Sequence, residues 1–159
     1  MFPAWEEDWM RHIDPRLDKE QARTIRCMVL FPSVPRGECA TKGYWKNGAL
    51  RWETPWKSGK RHGTKRQWHI DGTLQFEIPY VHGERHGVGR QWSKNGTLHL
   101  EIPYVRGVKH GVEKEWNENG TLEWEIHWKN GEKHGVQIGF LEDGTPWSEA
   151  WWEHGVWVG

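Results

Sequence analysis

The sequence predicts a mainly β fold, a single elongated antiparallel sheet of stacked β-hairpins with a short helical cap at its N-terminal end. The first observation is a period of 24 residues, which divides residues 40–159 into five repeats. Each repeat carries one Asn-Gly or Asp-Gly pair, at Asn47-Gly48, Asp71-Gly72, Asn95-Gly96, Asn119-Gly120 and Asp143-Gly144. The second observation is the alternation of apolar and polar residues after each pair, a period of two that is typical of strands. Repeats of this length stack so that each buries its apolar face against its neighbours.

Residues 1–39 lie outside the repeats, and their pattern is helical. Apolar residues at helical spacing indicate one helix within residues 2–13. Asp14 and Pro15 are typical of the start of a second helix, which we expect to end near Leu30. One interpretation is a cap over the open edge of the first repeat, because repeat arrays need covered ends. The alternative is an arm that binds a partner.

The composition limits the functions open to this chain. Lys+Arg and Asp+Glu both total 22 of the 159 residues, so the formal net charge is zero. This balance argues against a general nucleic-acid or membrane-surface binder, which would carry a basic excess. Apolar residues make up only 35%, but 14 residues are tryptophan, and one aromatic side chain buries roughly 150–250 Å². We therefore expect a thin, aromatic core.

Two cysteines, Cys27 and Cys39, make no disulfide framework and fit a reducing compartment. The acidic start of the chain does not resemble a signal peptide. No apolar run approaches the ~18 residues of a spanning helix. We expect a cytoplasmic protein that does not span a membrane.

The turn chemistry predicts how the two strands of each hairpin face each other. A triplet of the form x-Asn-Gly or x-Asp-Gly suits a three-residue loop, a type I turn closed by a left-handed glycine. In the third repeat this loop places Trp92 opposite Leu98 and Arg90 opposite Leu100, which gathers the apolar side chains on one face. A two-residue loop would instead pair Arg90 with Glu101 and split the apolar residues between two faces. We favour the three-residue loop, because moving a whole apolar set to the other face costs more.

The third repeat also carries a recognisable motif. Its members are an aromatic residue, Asn-Gly-x-Leu, a glutamate, a second aromatic residue, a glycine and His-Gly, at Trp92, Asn95-Gly96, Leu98, Glu101, Tyr104, Gly107 and His110-Gly111. This motif resembles the MORN-like repeat variant of bacterial proteins called YwqK-family antitoxins, and the resemblance covers residues 40–159. It implies an interaction module with no catalytic residues to carry over. MORN proteins more generally are similar to interaction scaffolds, and phospholipid binding is implied for some.

Two columns of titratable residues recur in the repeats and suggest metal binding or catalysis, but their spacing disfavours both. The histidines are His62, His86, His110 and His134, and the glutamates are Glu53, Glu77, Glu101, Glu125 and Glu149. With two strands per repeat, equivalent residues lie about 10 Å apart, whereas ligands of one zinc ion lie within roughly 4 Å of each other. The glutamates are better explained by cross-strand pairing with Arg66, Arg90 and Lys114. We predict no metal, no cofactor and no catalytic residue.

Two groups of residues are candidates for partner binding. The first is a basic column, Arg61, Arg85, Lys109 and Lys133, whose alternative role is a solvated edge that prevents aggregation. The second is a set of tryptophans that depart from the repeat pattern, Trp45, Trp147, Trp151 and Trp157, whose alternative role is a packed terminal seam. Exposed tryptophans are enriched at interaction hot spots.

The predicted function is a non-catalytic protein–protein interaction module, antitoxin-like or defence-related, that binds and sequesters or regulates a protein partner. One alternative is a module that binds a nucleotide, a nucleic acid or a phospholipid head group, since tryptophans stack on bases and cations meet phosphates. Another is a structural element that forms homo-oligomers through its sheet ends.

Overall fold

A computed structural model describes residues 38–159, so the two predicted helices of the N-terminal cap lie outside the described residues. The described part contains strands only: β1 (Glu38–Tyr44), β2 (Leu50–Lys57), β3 (Lys60–Arg61), β4 (Gly63–Trp68), β5 (Leu74–Val81), β6 (Glu84–Arg85), β7 (Gly87–Trp92), β8 (Leu98–Val105), β9 (Val108–Lys109), β10 (Gly111–Trp116), β11 (Leu122–Lys129), β12 (Glu132–Phe140), β13 (Pro146–Glu153) and β14 (Val156–Trp157). Within residues 38–159 there is no helix long and apolar enough to cross a membrane.

The strands form one open antiparallel sheet in the order β1-β2-β4-β5-β7-β8-β10-β11-β12-β13-β14. The short strands β3, β6 and β9 pair with the ends of β2, β5 and β8. The strands of this path follow one another in sequence order, so the predicted mainly β array of stacked hairpins is confirmed.

The first turn of each repeat is the predicted three-residue loop. In the third repeat the Ser93 backbone N–H donates to the Thr97 carbonyl and the Gly96 N–H donates to the Ser93 carbonyl, both at 2.9 Å. Gly96 has a φ of 86°, the left-handed conformation that closes such a turn. Trp92 therefore pairs with Leu98, as predicted.

Beyond that first pair the predicted register is wrong, because each repeat contains a β-bulge. In the third repeat the register shifts between Gln91 and Trp92, so that Gln91 pairs with Leu100 and Arg90 pairs with Glu101. One strand has an extra residue at His99, which reverses the alternation of its side chains relative to the partner strand. The same shift occurs in all five hairpins. The apolar residues are consequently divided between two faces and do not share one.

We call one of these faces the ring face. Side chains of paired residues share a face, so it carries two rows across the sheet: Trp52, Phe76, Leu100 and Trp124 in one, and Trp56, Tyr80, Tyr104, Trp128 and Trp152 in the other. Among residues 38–159 only Tyr80 and Tyr104 are buried apolar residues, at 6% and 8% exposure. The expected thin aromatic core is this single layer.

The opposite face, which we call the ion-pair face, carries the predicted glutamate pairing. Arg90 lies between two carboxylates, 2.6 Å from Glu101 and 3.3 Å from Glu77. Similar contacts join Arg66 to Glu77 at 3.4 Å, Lys114 to Glu125 at 2.9 Å and Lys42 to Glu53 at 3.3 Å. From β1 to β11 the charges alternate from strand to strand, so each charge meets an opposite neighbour. In the fifth repeat Ile138 occupies the place of the cation, and Glu149 pairs with it.

The second turn of each repeat joins it to the previous repeat. Gly107 N–H donates to the carbonyl of Arg85, 22 residues earlier, at 2.9 Å. Gly83, Gly131 and Gly155 make the same bond to Arg61, Lys109 and Lys133. Each hairpin is thus tied to its predecessor by its turn as well as by its long strands.

Replacing Arg106 with asparagine is expected to stabilise the second turn of the third repeat. Arg106 has a φ of 49° and precedes Gly107 at 87°, the pattern of a type I′ turn, for which Asn-Gly is preferred. The fourth repeat already has Asn130-Gly131 at this place, with φ values of 53° and 90°. We expect Arg106→Asn to raise the free energy of unfolding by about 0.5 kcal/mol, measured by urea denaturation. Asn130→Arg should lower it by a similar amount, and a gain from both would contradict this explanation.

Candidate interaction surface

The predicted basic column lies on the ring face, between aromatic rings. The two-residue second turn pairs Arg85 with Tyr80, and the Arg85 guanidinium also lies 5.1 Å from the centre of the Tyr104 ring in the next repeat. Arg85 Nη1 donates to the Tyr104 hydroxyl at 3.2 Å. Hydrogen bonding to Tyr80 is the largest influence that raises the pKa of Arg85. The cation therefore bridges two successive repeats.

The same contact recurs along the sheet. Arg61 lies 5.8 Å from the Trp56 ring and 5.3 Å from the Tyr80 ring. Lys109 Nζ lies 4.2 Å from the centre of the Trp128 ring, and Lys133 Nζ lies 4.5 Å from that of Trp152. Each such contact contributes about 0.5–1 kcal/mol at an exposed site. We call this alternating row of rings and cations the cation–ring ladder.

Trp45 directly follows β1, the first strand of the sheet, and its side chain contacts other residues of the protein. Its Nε1–H donates to the Trp68 carbonyl at 3.2 Å. The Arg51 guanidinium lies 4.5 Å from the centre of its ring. The side chain is half-buried and packs at the junction of the first and second repeats.

The three remaining candidate tryptophans are all in the fifth repeat and are all exposed. Trp147, Trp151 and Trp157 have 57%, 51% and 64% of their surface accessible. Trp147 makes an edge-to-face contact with Trp124, with ring centres 5.7 Å apart. Trp151 Nε1–H donates to Glu149 Oε1 at 2.8 Å. Trp157 pairs with Trp152 on the ring face, whereas Trp151 lies beside Glu149 on the ion-pair face. Most of each ring is open to solvent, and because all three rings lie at the last strands of the sheet we call the three residues the tryptophan end.

Gly139 provides the space that Trp147 occupies. A Cβ atom on Gly139 would lie 2.8 Å from Trp147 Nε1 and 3.0 Å from Trp124 Cζ3, distances that force a neighbour to move. We expect Gly139→Gln to displace the Trp147 ring and to lower the free energy of unfolding by about 1–3 kcal/mol. Thermal unfolding followed by circular dichroism measures the loss. Because the chain has 14 tryptophans, the assigned indole N–H resonance of Trp147 in NMR spectra reports the displaced ring.

Gln91 provides the matched control for this change. Glutamine is the native residue at the equivalent positions of the second and third repeats, Gln67 and Gln91. Gln91→Gly should cost roughly 0.5–1 kcal/mol, the usual penalty of glycine in a strand, without shifting the indole N–H resonance of Trp147. An unchanged Trp147 signal in Gly139→Gln would show that the glycine is not what admits the ring.

Three charged residues of the ring face were missed by sequence reasoning. Glu113 is only 5% exposed and lies 2.5 Å from Lys109 Nζ. Glu115 pairs with Leu100 on one side and Trp124 on the other, and burial, followed by the charge of Glu113, raises its pKa. Lys65 Nζ lies 5.3 Å from the centre of the Phe76 ring. These residues could have been found in the sequence because they depart from the repeat pattern. In the third repeat Gly89 occupies the place of Lys65 and Glu113, and Gln91 occupies that of Glu115.

The recurrent histidines make local contacts. His62 Nδ1 lies 3.5 Å from the backbone N–H of His82, and His110 Nδ1 lies 3.4 Å from that of Asn130. Each ring thus faces the second turn of the next repeat. Within residues 38–159 no three His, Cys, Asp or Glu side chains are grouped closely enough to hold a metal ion.

An open single-layer sheet of repeated hairpins, with rows of rings and cations on one face and rows of ion pairs on the other, defines a repeat protein. Residues 85–106 and 109–130 each match the MORN repeat variant. The two matches begin 24 residues apart, in step with the internal period, so the chain contains MORN-like repeats. MORN repeats generally bind proteins or membranes, which agrees with a non-catalytic binding role. No curated protein gives a significant match to this chain.

Proposed function

We propose that this protein is a non-catalytic binding module that holds a protein partner against its tryptophan end. The observation that carries the proposal is the exposure of Trp147, Trp151 and Trp157, each more than half accessible. The rings of the inner repeats are half-buried or buried instead. Interface hot spots are enriched in tryptophan, because a large rigid ring buries much area at little entropic cost. By holding its partner the module sequesters or regulates it, in the manner of an antitoxin-like or defence-related protein.

Residues that another repeat already carries at the equivalent positions can replace the three tryptophans. The fourth repeat has Glu123, His127 and Lys133 at the places of the three tryptophans. We expect the triple variant Trp147→Glu, Trp151→His, Trp157→Lys to fold normally. In affinity purification from the native host it should lose a stoichiometric protein that the wild-type chain retains.

The control is an exposed apolar residue elsewhere on the sheet. Val105 is 39% exposed, and lysine occupies its column at Lys57 and Lys129, so Val105→Lys removes apolar surface away from the tryptophan end. It should retain the partner. Retention of the same protein by the triple variant, or its loss from Val105→Lys as well, would refute the tryptophan end as the binding surface.

The cation–ring ladder supports a second candidate function, binding of an anionic group such as a nucleotide or phospholipid phosphate. Arg61 and Arg85 are exposed in the ladder and recur at one-repeat spacing. Binding by these cations should weaken steeply as salt rises. We expect Arg61→Gln with Arg85→Gln to abolish the binding of anionic vesicles or nucleotides, measured by tryptophan fluorescence. A salt-independent signal would remove this candidate.

A further inference from the structure

The ring face carries charges of opposite sign at its two sides. Lys65 in β4 has no carboxylate partner among the described residues, and Glu115 in β10 has no cationic one. Both lie on the face that holds the aromatic rows. Glu113, in the same strand as Glu115, already has Lys109 as its partner. The two strands thus present one unmatched positive charge and one unmatched negative charge.

Lys65 and Glu115 lie in strands that are placed symmetrically about β7. The strand register puts Lys65 level with Glu113 and two residues along the strand from the level of Glu115. In the strand order, β4 lies two strands before β7 and β10 lies two strands after it. At β7 the ring face carries Gly89 and the neutral Gln91. A two-fold axis between two sheets, running roughly along β7, would reverse the strand order of the second copy. It would place β4 of one copy over β10 of the other.

We propose that two copies of this chain form a face-to-face dimer through their ring faces. Lys65 of each copy meets the Glu113–Glu115 pair of the other, so the contact occurs twice, as two-fold symmetry requires. The same operation places Trp52 over Trp124 and Phe76 over Leu100. The second sheet also supplies the missing layer, since a sheet normally buries an apolar face against another element.

The size of the overlap agrees with a stable interface. Nine strands, from β1 to β12, have a counterpart when the order is reversed about β7. At about 4.8 Å per strand and 3.3 Å per residue, the two ring rows cover roughly 38 Å by 13 Å. This flat footprint, roughly 500 Å², is of the order of the ~800 Å² of accessible surface that each partner buries in a stable complex.

The same geometry sets the limits of the contact. The cation–ring ladder lies toward one end of the strands, where cations of the two copies would repel each other. Arg61 and Arg85 are exposed at this border, and such long side chains can extend past the edge of the contact into solvent, away from the other copy. The strands β13 and β14 have no counterpart in the reversed order and extend beyond the overlap. Trp151 and Trp157 therefore stay accessible in the dimer, whereas Trp147, which contacts Trp124, lies at the border of the overlap. The charge changes that test the dimer leave the tryptophan end itself unaltered.

Charge exchange on the full chain tests the dimer. Sedimentation over a dilution series should give twice the 18.8 kDa chain mass at high concentration. Lys65→Glu and Glu115→Lys should each weaken the dimer by about tenfold or more, because each places like charges together at both contacts. The double variant Lys65→Glu, Glu115→Lys should restore it. The controls are Lys94→Glu and Glu118→Lys, at exposed positions in the first turns of their repeats. They make the same charge changes away from the ring face and should not alter dimer formation.

Three results would overturn the proposal: a monomer at every concentration, a dimer indifferent to the single changes, and a double variant as weak as the single ones. A dimer that the single changes do not weaken would indicate pairing through the sheet ends. A chain that is monomeric at every concentration would mean that the ring face does not bind a second copy. Circular dichroism checks that each variant folds. Where Glu115→Lys does not, Glu115→Gln replaces it. Gln67 and Gln91 occupy that column, and loss of the charge alone must then still weaken the dimer.

Discussion

Replacement of Tyr104 by alanine is expected to lower the free energy of unfolding by about 3–5 kcal/mol, the usual cost of removing a buried aromatic ring. Tyr104 is one of the two buried apolar residues among those described. Its ring lies over Gly89, where a Cβ atom would be 3.3 Å from Tyr104 Cε2. It also receives the Arg85 guanidinium. Its loss therefore removes packing in the third repeat and the contact with the preceding repeat together.

The matched control separates the ring from its hydroxyl. Tyr104→Phe keeps the packing over Gly89 and the cation contact but removes the acceptor of the Arg85 hydrogen bond, so it should cost only about 0.5–1.5 kcal/mol. Urea denaturation followed by far-UV circular dichroism measures both. Equal losses for the two variants would mean that the hydroxyl, and not the ring, holds the two repeats together.

Replacement of Gly111 by alanine is the other change with a large expected effect. Gly111 has a φ of 111°, a conformation that a residue with a side chain adopts only with strain. A Cβ atom there would also lie 3.1 Å from Pro103 Cγ. The two effects together should lower the free energy of unfolding by about 2–4 kcal/mol, because the backbone strain and the crowded ring add.

Gly96 separates these two effects. It also has a positive φ, 86°, but a Cβ atom there would have nothing within 4 Å. Gly96→Ala should therefore report the backbone term alone and cost roughly 1–2 kcal/mol. Thermal unfolding of both variants gives the difference due to Pro103. A loss in Gly96→Ala as large as in Gly111→Ala would show that the contact with the proline ring contributes nothing.

The sequence predicted those features of the fold that short stretches of chain determine. The Asn-Gly and Asp-Gly pairs specified the first turn, since a three-residue loop closed by a left-handed glycine is a local choice. The bulge was not predicted, because Leu98, Leu100 and Ile102 look like uninterrupted alternation even though His99 is an extra residue. The sheet has rings on both sides, as the Trp92–Leu98 pair shows, so apolar residues alone could not reveal that the alternation reverses.

The interaction surface was predictable where a residue differs in type from the residues at the equivalent positions of the other repeats. This criterion found the three exposed tryptophans of the fifth repeat, and it would have found Lys65, Glu113 and Glu115 had it been applied to charges. It could not tell that Trp45 is held by Trp68 and Arg51, because those contacts depend on how neighbouring repeats stack. The cation–ring ladder was also not predicted. It depends on Tyr80 pairing with Arg85, which requires a two-residue second turn, and only the first turn was predicted from the sequence.

The bonds that tie each second turn to the preceding repeat also determine how the protein responds to mechanical force. Neighbouring hairpins lie side by side, so tension between the two ends of the sheet peels one hairpin from the next instead of shearing all of them together. Each step breaks one set of contacts, including a bond such as that from Gly107 to Arg85. Each step also frees 24 residues, which extend to roughly 80 Å. A repeat array of this kind lengthens in equal increments and yields first at whichever end is held least firmly.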